Sequence, residues 1–164
     1  MTSQLTNTDQ VKRLRQEGKH QEARDLLMTL VNAHPDDAML QYEAACVHDF
    51  LGMEAEAVPF YVAALSGDLV AATRRSALVG LGSTYRTLGR FEDAERTLLI
   101  ARAEFPEAAE VQVFLAMARH NLGHSKEAVE ALLRLLARTS RDESILAYSR
   151  AIEFYAVDID RTWL

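Results

Sequence analysis

Apolar residues fall into a short stripe that recurs four times along the chain. Ala23, Leu27 and Leu30 are spaced i, i+4, i+7, and the triplet returns as Ala57, Tyr61 and Ala64, as Ala94, Leu98 and Ala101, and as Ala128, Leu132 and Leu135. This spacing puts three side chains on one face of a helix and predicts a core stripe. An acidic residue precedes the alanine in every copy, Glu22, Glu56, Asp93 and Glu127, where it favours a helix start through the macrodipole. The alanine is small because two helix axes that approach closely leave room for little beyond a methyl group.

Five residues before each alanine stands a glycine: Gly18, Gly52, Gly89 and Gly123, separated by 34, 37 and 34 residues. Without a Cβ, glycine takes the left-handed conformation that closes a first helix ahead of the second. The pattern predicts four helix-turn-helix units, at 4–37, 38–71, 75–108 and 109–142. Pro35 and Pro106 share a late column and stop the second helix of their units, while Leu69 and Ser140 replace proline in the other two. The three extra residues between the second and third units predict a lengthened helix over 69–88, capped by Asp68 and perturbing the superhelix there. Pro59 is expected to cost the second helix of the second unit one backbone hydrogen bond and to bend it slightly.

Leu81-Gly82, Tyr85, Gly89, Ala94, Leu98, Ala101 and Pro106 in the third unit are closest to the pattern of the tetratricopeptide repeat, whose period is about 34 residues, and residues 4–142 resemble a protein of that family. Unit one departs from the pattern at Asn7 and Gln10, as suits a terminal repeat, and unit four at Arg119 and Ser140. The resemblance implies an all-α fold, a right-handed α-solenoid of four units plus one C-terminal helix, about nine helices in all. It also implies a non-catalytic protein-protein interaction module that binds a peptide or protein segment in a concave groove lined by first-helix side chains. Those columns are Met39, Tyr42, Cys46 and Asp49, then Ser76, Val79, Ser83 and Arg86, then Glu110, Val113, Met117 and His120. Tyr42 and Arg86 are the candidate anchors, since aromatic and arginine side chains dominate binding hot spots. Chaperone-binding members clamp a peptide carboxylate from columns that here hold Thr8, Lys12, Glu43, Ser76 and Gly80. Only Lys12 suits that task, and Glu43 would repel a carboxylate.

Beyond the fourth unit, residues 143–164 form a C-terminal helix, opened by an S-x-x-E capping box at Ser140-Arg141-Asp142-Glu143 and striped by Ile145, Ser149, Ile152, Ala156, Ile159 and Trp163. The segment from Arg138 to Trp163, with the 37-residue spacing, resembles a small bacterial tetratricopeptide group whose members are thought to be dimers. Exposed Phe154, Tyr155, Trp163 and Leu164 would make a patch that monomers rarely leave in water, which motivates a homodimer. The alternative is that the tail folds back and caps the stack.

Composition narrows the partners. The chain has 164 residues, 49% hydrophobic and 26% charged, with a net charge of −6 and no basic stripe, which argues against nucleic acid. The first twenty residues lack an apolar signal-peptide core, and no apolar run is long enough for a membrane span. Cys46 is the only cysteine. A cytoplasmic protein is the expectation.

The candidate chemistry is thin, and no cofactor or metal is expected. His120 and His124 have the i, i+4 spacing of a metal pair, but Gly123 should break the helix between them. A small enzyme or ligand-binding protein using Cys46, His48 and His120 is the second class of reading. Against it, residues two apart on a helix point to different sides, and His48 falls in the tyrosine column of the packing face. Asp158 and Asp160 lack the further oxygen ligands of a calcium loop, and no glycine-rich phosphate cradle is present.

Overall fold

The structure, a computed structural model, describes residues 2–162, with side chains from Asp9 onward. Trp163 and Leu164 lie outside the described residues, as do the side chains of Asn7 and Thr8. The described residues form nine helices and no strand: α1 (Thr2–Gln16), α2 (His20–Ala33), α3 (Ala38–Phe50), α4 (Glu54–Ser66), α5 (Ala71–Thr87), α6 (Phe91–Glu104), α7 (Ala109–Asn121), α8 (Ser125–Thr139) and α9 (Glu143–Tyr155). The fold class is an all-α helical-repeat solenoid. The chain divides into two compact bodies, residues 1–88 and 89–164.

The turns form as the glycine spacing predicts. Gly18, Gly52, Gly89 and Gly123 carry φ of 75°, 72°, 73° and 87°, and no other described residue has a positive φ. That region is strained for a side chain, so the column is fixed by backbone geometry rather than by packing. The alanine column follows suit, with Ala23, Ala57 and Ala94 wholly buried and Ala128 nearly so.

In the N-terminal body, a first core layer joins α1, α2 and α3 through Val11, Ala23, Leu27, Leu30, Leu40, Ala44 and Val47. A second joins α3, α4 and α5 through Ala45, Ala57, Tyr61, Ala77 and Leu81, with Phe60 touching both layers. One column pair bridges successive repeats. Arg24 on α2 donates from Nε to His48 Nε2 on α3 at 3.2 Å, and the corresponding Val58 and Tyr85 pack in the second layer. In the C-terminal body the same two columns hold Glu95 and Arg119, joined at 3.1 Å. Arg119 in the tyrosine column is thus matched by a carboxylate across the helix pair. A second repeated device was not foreseen: Gln41 and Gln112 each reach back from the next first helix to the carbonyl of the column proline, Pro35 at 2.7 Å and Pro106 at 3.3 Å.

The long spacing is used differently from the sequence expectation. Helix α5 has 17 residues against 13 in α3 and α7, but it begins at Ala71 behind Val70, with no side-chain cap, rather than at Leu69 behind Asp68. Gly67 is extended and has Ala38 Cβ 2.8 Å from where its own Cβ would stand. Leu69 is then drawn into the second core layer, and burying that side chain outweighs one more helical residue. Pro59 is exposed within α4, which continues to Ser66.

The C-terminal body holds α6 to α9. Asp142, not Ser140, caps α9, accepting from the amides of Ser144 and Ile145 at 2.9 and 3.3 Å. Ser140 accepts from the amide of Asp142 and shapes the turn before it. The Asp142 carboxyl is held below the usual aspartate range by the Ser144 hydroxyl and then by these two amides. The helix ends at Tyr155 instead of running on towards Trp163. Arg134 on α8 donates from Nε and Nη2 to the carbonyl of Ala156 at 2.9 and 2.6 Å. Glu130 accepts from the amide of Ile159, and Lys126 pairs with Asp158 and Asp160. Residues 156–160 therefore turn back along α8, with Ala156 wholly buried and Ile159 half-buried.

Candidate functional site

The expected groove columns recur at i, i+3, i+7, i+10 on each first helix, so each set shares one helical face. In the N-terminal body, Leu40, Ala44, Val47, Leu78 and Leu81 turn into the core. Met39 and Ser76 are exposed, and Tyr42, Cys46, Asp49, Val79, Ser83 and Arg86 are half-buried. In the C-terminal body, Val113 is half-buried, and Glu110, Met117 and His120 are exposed beside buried Val111, Leu115 and Ala118. α3, α5 and α7 thus each carry a mixed apolar and polar face, on which Tyr42 and Cys46 of α3 also pack against the second core layer.

The α3 face carries a connected set of polar groups. Tyr61 on α4 donates its hydroxyl to Asp49 Oδ2 at 2.8 Å. Thr84 on α5 stands 2.8 and 3.0 Å from the two carboxylate oxygens and 2.9 Å from its own helix carbonyl at Gly80. Gly80 makes room for this, since a Cβ there would lie 2.5 Å from the Tyr61 hydroxyl. Burial raises the Asp49 carboxyl above the usual range, opposed by the Thr84 and Tyr61 hydrogen bonds. Tyr42, ring to ring 6.4 Å from Tyr61, is pushed up to about 12, chiefly by burial. Sequence reading placed Asp49 and Tyr42 on this face but missed Tyr61 and Thr84. The only signal for those two was an aromatic where other repeats have leucine, and a hydroxyl in the column that holds Val47 and Ala118 in the neighbouring repeats.

Cys46 and His48, from the alternative, chemical reading, do not face each other. His48 is buried, with Nδ1 2.7 Å from the Ala44 carbonyl and Nε2 accepting from Arg24, so both ring nitrogens are engaged. Its ring packs on Phe60 at 4.9 Å. Cys46 instead faces the Tyr61 hydroxyl at 3.9 Å, and burial pushes its thiol up. A raised thiol without a base is a poor nucleophile. His120 lies in the other body, bonded to Ser125 at 3.0 Å. Among the described residues no group of three or more His, Cys, Asp or Glu is placed to hold a metal ion. No helix of these residues is long and apolar enough to cross a membrane. Of the carboxylate-clamp columns, Glu43 pairs with Arg15, and Lys12 is exposed.

Paired helices closed by left-handed glycines, with buried alanines between them and an open mixed face on each first helix, define a helical-repeat protein of the scaffold class. The family model described as Tetratrico peptide repeat matches residues 38–159, from the first residue of α3 to the tail on α8, and the chain belongs to that family. Among solved structures it is similar to a putative kinesin light chain from Podosopora anserina with nearly identical TPR-like repeats, at 25% identity over 92% of this chain and 83% of that one, TM-score 0.68. It shares its fold with MamA, at 18% identity over 90% and 88% of the two chains, TM-score 0.73. Comparison with curated proteins gave no match. Proteins built from these repeats are protein-protein interaction scaffolds and generally non-catalytic.

Proposed function

We propose that this chain is a non-catalytic adaptor that holds a segment of another protein along the first-helix face. The observation that carries the reading is the split between the two sides of α3 and α5. Leu40, Ala44, Val47, Leu78 and Leu81 are buried, while on the other side Met39 is exposed and Tyr42, Val79 and Arg86 are half-buried. Accessible apolar and aromatic side chains interleaved with polar ones suit an amphipathic helix or an extended peptide. A cytoplasmic setting belongs to this reading, supported by the single cysteine. The test is affinity capture from native lysate with wild type and with a Tyr42→Ala, Arg86→Ala variant. The variant is expected to lose the proteins that wild type retains, and retention of the same set would place the binding face elsewhere.

A second reading, self-association through the C-terminal body, is favoured by one comparison between repeats. The column filled by Leu27, Tyr61 and Leu98, at most 3% exposed in each, is filled by Leu132 at 38%. Val129 and Leu136 are exposed on the same stripe of α8, and α9 exposes Leu146, Tyr148, Phe154 and Tyr155. Apolar surface of this kind is what homodimers cover. Sedimentation equilibrium of wild type against Tyr148→Glu, Phe154→Glu tests it. A wild-type monomer would overturn the reading, and a dimer that the variant dissociates would support it.

A further inference from the structure

We propose that Asp49 is a specificity residue of the groove, a preset anion that takes a lysine or arginine side chain from the bound segment. The inference rests on the groove reading above. Asp49 projects from α3, and its carboxylate is fixed from two other helices, by the Tyr61 hydroxyl of α4 and the Thr84 hydroxyl of α5. Hydroxyl donors orient a carboxylate without neutralising it. Among the described residues Asp49 forms no ion pair. The charged groups that bear on it offer no counterion. Glu54 is another carboxylate, and His48 already spends both ring nitrogens. A half-buried charge without a counterion is costly, and burial accordingly holds this carboxyl above its usual range.

The surroundings suit a long cationic side chain. Tyr42, Cys46 and Asp49 lie at i, i+4, i+7 on one face of α3, a span of about 10 Å along the helix axis. An aliphatic stem can pack along the Tyr42 ring while its charged head reaches Asp49. Arg86 occupies the same column one repeat on, and its buried Nε has no hydrogen-bond acceptor. A single extended segment bearing a basic residue therefore supplies the counterion that Asp49 lacks among the described residues. The net charge of −6 favours encounter with such a partner.

Calorimetric titration of the full chain tests this with a short acetylated peptide of alternating leucine and arginine, and with its citrulline counterpart, which keeps the shape and removes the charge. The arginine peptide is expected to bind about tenfold more tightly, the scale of one well-placed charge-assisted contact. Asp49→Asn should abolish that preference while the melting temperature stays close to wild type. Glu107→Gln, an equal change of net charge at an exposed site in the other body, should keep it. Equal binding of the two peptides, no binding of either, or a preference that survives Asp49→Asn would overturn the proposal. If Tyr42→Ala, Arg86→Ala weakens both peptides while Asp49→Asn changes nothing, the groove stands and the role of Asp49 falls. If that double variant binds both as wild type does, the groove reading falls as well.

Discussion

Single residues in this fold are chosen by what their neighbours leave open. Gly80 is the sharpest case, because a methyl group there would collide with the Tyr61 hydroxyl at 2.5 Å. Gly80→Ala should force Tyr61 off Asp49 and lower stability by about 1–3 kcal/mol, the range for overpacking a well-filled site. Thermal unfolding measures the loss, and an unchanged midpoint would show that Tyr61 moves aside freely. Cys46 illustrates the same control over chemistry. Its thiol is raised by burial, so the folded state favours the protonated form. That contribution to stability is full below the ordinary thiol range of about 8.5 and is lost as pH rises through the higher folded value. Labelling with a thiol reagent at pH 8 should therefore be slower than for free cysteine. A faster reaction would revive a nucleophilic role for Cys46.

At the scale of elements, equivalent positions in different repeats carry different weight. Leu98 of α6 is wholly buried, whereas Leu132 in the same column of α8 is 38% exposed. Leu98→Ala should cost about 2–5 kcal/mol and Leu132→Ala under about 1 kcal/mol, measured by denaturant unfolding. Equal losses would mean that Leu132 is covered in solution. The chain after α9 is stitched to α8 through Arg134, Glu130 and Lys126. Those contacts ended α9 at Tyr155, where the stripe of Ile159 and Trp163 had suggested a longer helix. The stripe itself was informative, since Ile145, Ser149, Ile152, Ala156 and Ile159 are the better-covered residues of this segment. What periodicity could not register was a carbonyl captured by an arginine twenty-two residues earlier.

At the scale of the whole molecule, repeat proteins are stabilised by each repeat and its nearest neighbours, so damage should remain local. Leu27→Ala, in the layer shared by α1, α2 and α3, should speed amide exchange in those helices far more than in α7 and α8. Uniform acceleration along the chain would contradict this and indicate one cooperative unit. The sequence by itself determined the repeats, their turns and the family, because positive-φ glycines, methyl-sized contacts and i, i+4, i+7 stripes are requirements of local backbone geometry and direct helix packing. It also placed the columns proposed to line a groove on one face of α3, α5 and α7. Only the tertiary structure decided which of those columns is an anion held by Tyr61 and Thr84, which thiol is quiet and which leucine is left open. Those outcomes depend on side chains brought together from residues far apart in the chain, and pairing at a distance leaves no period to read.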